Sequence, residues 1–89
     1  MTADRQGHCF VFAFRNVSNH GGVLVHGSAA GVSNHAWVDH GDYIYEPTHD
    51  RYYPRGEYID RFAPREVNRY DAVTALVTFL QHDHYGPWN

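Results

Sequence analysis

Cys9 is the only cysteine in the chain, and it stands in Gly7-His8-Cys9-Phe10-Val11-Phe12-Ala13. Downstream come His35-Ala36-Trp37-Val38 and then Tyr45-Glu46-Pro47-Thr48. A thiol, an imidazole and a carboxylate are the parts of a cysteine-hydrolase site: the thiolate attacks a carbonyl, the imidazole moves the proton, and the carboxylate orients the imidazole. The spacing of the last two supports this. If His40-Gly41 is the two-residue loop of a hairpin, Asp39 faces Asp42, Trp37 faces Ile44 and His35 faces Glu46. Directly opposed residues of an antiparallel pair share a face, with Cβ atoms about 5 Å apart. The candidate catalytic residues are therefore Cys9, His35 and Glu46.

Each has a plainer reading. A cysteine before Phe-Val-Phe also suits a small buried core residue. His35 and Glu46 could be ordinary strand residues, and Trp37 ordinary core. Trp37, on the face of His35, and His26, on the preceding strand, are the candidate substrate-binding residues. Asp42 lies too far along its strand to serve His35, and Asp39 and Asp50 fall at turns, where solvation is expected. His8 directly precedes Cys9 and could tune it. Gln6 is the amide side chain just upstream of Cys9 that could join its backbone amide in an oxyanion hole.

The elements that must position these groups follow from periodicity. Phe10, Phe12 and Phe14 alternate as in a strand, while Phe10, Phe14 and Val17 fall at helical spacing; a short helix is the expectation, with 19–22 as a loop. A helix would place Cys9 in the first turn, where unpaired amides and the positive dipole end favour a thiolate. Residues 23–29 read as a strand, 31–34 as a turn, 34–39 and 42–46 as further strands, and 47–54 as a loop. Residues 55–62 form a short helix with Tyr58, Ile59 and Phe62 on one face, stopped by Pro64. Residues 65–70 make a fourth, edge strand. Asp71 caps a helix over 72–81 whose apolar face is Val73, Leu76, Val77 and Leu80. In the tail, Trp88 is expected to fold back. The fold class is α+β, a small antiparallel sheet packed against short helices.

At 89 residues, with 43% hydrophobic residues, the chain is one domain spanning 1–89. The formal charge of −3 and the scattered basic residues exclude a nucleic-acid footprint. No stretch has the length of a membrane span, no apolar run follows the N-terminal charges, and one cysteine makes no internal disulfide, so a cytoplasmic protein is expected. Eight histidines are spread along the chain, unlike the compact spacing of a zinc site. No metal and no cofactor are expected.

Taken together, Gly7-His8-Cys9 with Phe12-Ala13, His35-Ala36-Trp37-Val38 and Tyr45-Glu46-Pro47-Thr48 resemble the papain-like cysteine hydrolase superfamily, most closely its transglutaminase-like branch. In that branch a Gly-x-Cys helix start supplies the nucleophile, a His-x-Trp strand the base, and an Asp-Pro on the next strand the orienting acid; Glu46 stands where Asp is usual. The resemblance covers about residues 7–48 and implies a minimal papain-like core, with the helix and tail of 71–89 beyond it. The chain also looks like small uncharacterised phage and bacterial proteins that share Leu24-Val25-His26-Gly27 and Tyr85-Gly86-Pro87-Trp88. The function implied is a cysteine hydrolase or acyltransferase acting on an amide, peptide or thioester, small-molecule or protein. A second reading is a non-catalytic interaction module binding a host protein through Tyr52, Tyr53, Tyr85 and Trp88. A third has Cys9, His35 and either His26 or Glu46 hold a metal.

Overall fold

The structure, a computed structural model, describes residues 8–88. Helix α1 (Cys9–His20) is followed by β1 (Val23–Ala29), β2 (Val32–Asp39), β3 (Tyr43–Glu46) and β4 (Arg51–Pro54). Helix α2 (Arg55–Phe62), β5 (Arg65–Asp71) and helix α3 (Ala72–His82) complete the chain. The strands form one five-stranded sheet in the order β4-β3-β2-β1-β5, every neighbouring pair antiparallel. The fold is α+β, and among the described residues no helix is long and apolar enough to cross a membrane.

Side-chain alternation divides the core in two. Leu24, Ala36, Val38 and Tyr45 point to one face, where they pack with Cys9, Phe10, Ala13 and Val17 of α1, Ala75 of α3 and Trp88. Val25, Ala29, Trp37, Ile44 and Tyr53 point to the other, against Tyr58 and Phe62 of α2. With both faces covered, β2 is buried continuously from His35 to Asp39. The aromatic spacing of 8–17 resolves as a helix: Cys9, Phe10, Ala13, Asn16 and Val17 make its buried stripe.

Four expectations are corrected. Helix α1 continues through His20 and ends at Gly21, whose φ of 77° only glycine adopts without strain. Residues 51–54, expected as loop, are strand β4, a four-residue segment too short for its alternation to stand out. The β2–β3 hairpin pairs Asp39 with Ile44 and closes with His40 N–H donating to Tyr43 O at 2.9 Å, so the turn is Gly41-Asp42 and the register differs by two residues. Asp39 is buried rather than solvated: Arg55 and Arg69 pair with its carboxylate, the latter at 2.9 Å, and Gly41 N–H donates to it at 2.8 Å. Those donors outweigh the burial that opposes its charge and hold its pKa below the usual carboxylate value.

The largest difference concerns α3. Asp71 caps it as expected, accepting from Thr74 N–H at 2.8 Å. Yet Val73, Leu76, Val77 and Leu80, the expected core face, are exposed, and the residue buried on this helix is Ala75, flanked by partly buried Ala72 and Phe79.

Candidate active site

Cys9 is the first residue of α1 and is nearly buried, 8% exposed. The first intrahelical bond runs from Phe12 N–H to His8 O, so the amides before Phe12 carry no intrahelical bond and the positive end of the helix lies at the thiol. Cys9 lies near enough to His35 to favour its charged form. Both line a cleft of about 320 Å³, together with Asn34 and with Tyr85, Gly86 and Pro87 of the C-terminal tail.

A β-bulge prepares the end of β2. Gly27 pairs with His35 and Ala29 with Val32, so β2 carries one more residue than β1 in this interval. Asn34 sits there at φ 53°, and such bulges re-aim neighbouring side chains. On the far side of β1, Gly27 lies so close to β5 that a Cβ would stand 1.9 Å from Arg65 O. Glycine is required for that approach.

His35 faces Glu46 through Nε2, 2.8 Å from Oε1 and 3.0 Å from Oε2. Nδ1 is thereby the ring nitrogen left for Cys9. The two-residue difference in register keeps His35 and Glu46 on one face but makes them diagonal rather than opposed. Diagonal neighbours are roughly 7–8 Å apart, a gap that the extra methylene of glutamate helps to span. Glutamate is thus matched to this register.

Glu46 is 2% exposed and accepts from three groups. Besides His35, these are the Tyr58 hydroxyl at 2.6 Å and Thr48 N–H at 2.9 Å. Burial opposes its charge, but the three donors together keep its pKa below the ordinary carboxylate value. Burial also opposes a charged His35; the nearby Cys9 and the hydrogen bond and negative charge of Glu46 prevail and raise it from 6.5 to about 9. Tyr58, fully buried on α2, is pushed far upward by burial and by Glu46, and so remains a donor.

Of the five expected site residues, the structure brings Cys9, His35 and Glu46 together: His35 is hydrogen-bonded to Glu46 and lines one cleft with Cys9. Trp37 is buried between His35 and Tyr58, with ring centroids 6.0 and 6.1 Å away, and does not line the Cys9 cleft. His26 is buried behind Asn34, its ring edge-on to Phe10. Sequence reasoning missed Tyr58 and the Thr48 amide. Tyr58 had a signal, its place on the apolar face of α2, but nothing local tells that this face lies over Glu46. Gln6 lies outside the described residues. Of the aromatic quartet, Tyr53 and Trp88 are core residues, Tyr85 is partly buried and Tyr52 is exposed. Among the described residues no group of three or more His, Cys, Asp or Glu is placed to hold a metal ion. Comparison of the chain with protein-family models, with curated proteins and with solved structures finds no match.

Proposed function

We propose that the protein is a small cysteine hydrolase or acyltransferase of transglutaminase-like or papain-like type, acting on an amide, peptide or thioester. The observation that carries the reading is His35 hydrogen-bonded to a buried, ionised glutamate while sharing a cleft with a helix-start cysteine that favours its charge. The His35 charge suits a thiolate–imidazolium pair, with Glu46 as its counter-charge on the far side of the ring. In the first step Cys9 Sγ attacks the carbonyl carbon, an S–C bond forms, and the oxygen takes the electron pair as an oxyanion. Collapse expels the amine or thiol, which receives the proton from His35. Water or an acceptor amine then attacks the acyl-enzyme, passes its proton to His35, and frees Cys9. Glu46 and the groups that hold it keep the ring in place through both steps. A single unpaired cysteine is the chemistry of a reducing compartment, and the cytoplasm is the proposed location.

The test is the rate of Cys9 alkylation by iodoacetamide against pH, in the native chain and in His35→Ala. The expected profile keeps its rate well below the usual thiol pKa of about 8.5 and loses that acid limb with His35. Slow, ordinary alkylation in both proteins would reduce the three residues to packing.

A further inference from the structure

The mechanism above leaves the oxyanion with one donor near to hand, the Cys9 backbone amide at the start of α1. We infer that Asn34 is the second, and that His26 beneath it is the positioning residue that turns its amide toward the cleft. The inference rests on the proposed role of Cys9 as an acyl-transfer nucleophile.

Three independent features converge on Asn34. It is the positive-φ residue at the β2 bulge, immediately before His35, and it lines the same cleft as Cys9 and His35. Asparagine is among the few residues that adopt this backbone readily. Its carbonyl end is occupied: Oδ1 lies 3.0 Å from His26 Nε2. A carbonyl oxygen only accepts, so Nε2 carries the proton of that ring.

The other ring nitrogen supplies the second feature. His26 is 2% exposed, and its Nδ1 is buried with no hydrogen-bond partner among the described residues. With the proton on Nε2, what remains unpaired at Nδ1 is a lone pair; the opposite tautomer would bury an unpaired N–H, the rarer and costlier arrangement. The orphan nitrogen therefore fixes the tautomer. The tautomer fixes the Asn34 amide with oxygen toward His26 and NH₂ away from it.

The third feature is that this NH₂ is uncommitted. The Asn34 side chain makes no other hydrogen bond among the described residues, and the residue is exposed at the cleft. A pre-aligned donor with no ground-state partner is what stabilises charge that appears only in the transition state. A substrate carbonyl attacked by Cys9 would develop its negative oxygen between the helix-start amide and this group. His26 is packed edge-on against Phe10 at a ring-centroid distance of 5.3 Å, which favours the ring position that faces Asn34.

Two reactions of the same thiol separate this role from the nucleophile itself. Iodoacetamide alkylation displaces iodide at a saturated carbon and forms no oxyanion. Acylation by p-nitrophenyl acetate passes through a tetrahedral oxyanion before nitrophenolate leaves. The variants are Asn34→Gly, which tolerates the positive φ, and Asn34→Asp, which keeps the acceptor for His26 but removes the donor. Expected is a fall in the acylation burst rate on the order of a hundredfold in both, with alkylation unchanged. His26→Ala is expected to slow acylation as well, and His26→Gln, whose amide can still donate to Asn34, to restore part of the rate. Unchanged acylation in both Asn34 variants, with fast alkylation, would overturn the inference and leave the Cys9 reading standing. Loss of both rates together would assign Asn34 to site integrity and also overturn it. Slow, ordinary alkylation of the native chain would overturn both readings at once.

Discussion

Glu46 shows how one residue governs the charge of the site. Its carboxylate accepts from His35, Tyr58 and Thr48, and in return its charge raises His35. This couples stability to pH with a definite sign. His35 has a folded pKa of about 9 against 6.5, so its contribution is complete below 6.5 and is lost as pH rises toward 9. Glu46 is depressed below 4.5, so its contribution is present above 4.5 and is lost as pH falls through its folded value. Stability contributed by the pair is thus greatest between about 4.5 and 6.5. In Glu46→Gln the counter-charge is gone and Cys9 alone is left to oppose the effect of burial on His35, so its pKa is expected to fall from about 9. NMR titration of the His35 ring checks this directly, and urea unfolding at pH 6 and pH 9 should show a smaller difference in the variant. A ring that still titrates near 9 would mean that Cys9, not Glu46, holds its charge. Cys9, His35 and Glu46 were legible as candidates because each is a chemically distinctive residue beside a strand or helix signal. Tyr58 was not, because its role depends on where α2 lands.

At the scale of elements, the sequence pattern conveyed faces better than registers. Alternation put His35 and Glu46 on one face, and that survives the two-residue difference because a strand repeats every two residues. The observed register accompanies the Asp39 carboxylate gathering Gly41, Arg55 and Arg69, a contact that reaches distant segments and that no local pattern displays. Helix α3 was misread for another reason. No charged residue occurs between Ala72 and His82, so both of its faces look apolar. The small side chain of Ala75 permits close approach to α1 and the sheet, and the branched residues are turned outward. The two assignments of its buried face predict opposite mutational costs. Leu80→Lys, at a position 68% exposed, is expected to change unfolding free energy by no more than about 0.5 kcal/mol. Ala75→Leu, at a fully buried site, is expected to destabilise by about 1–3 kcal/mol through overpacking. Denaturant unfolding of the two variants measures both, and a large loss with Leu80→Lys would restore the expected core face.

For the molecule as a whole, the cleft is not the property of the segment 7–48 that bears the resemblance. One wall is the start of α1, another is the bulged end of β2, and a third is the tail at Tyr85, Gly86 and Pro87. The tail is tied down by Trp88, 6% exposed, whose Nε1–H donates to His84 O at 2.6 Å and whose ring stands edge-on to Tyr70 at 5.0 Å. Gly86 lies against Phe10, where a Cβ would come within 2.7 Å of the ring. The last residues therefore close the space in front of the first helix, and stability and access to Cys9 share one anchor. Trp88→Ala removes that anchor together with core volume, at an expected cost of about 3–5 kcal/mol. Access should change separately from stability. Under conditions where the variant is folded, the Cys9 reaction rate with a bulky maleimide should rise relative to that with iodoacetamide, because the small reagent is less hindered by the tail wall. A lower melting temperature with an unchanged ratio of the two rates would make Trp88 a packing residue only. A raised ratio would make the tail part of what selects, by size, the molecules that reach the thiol.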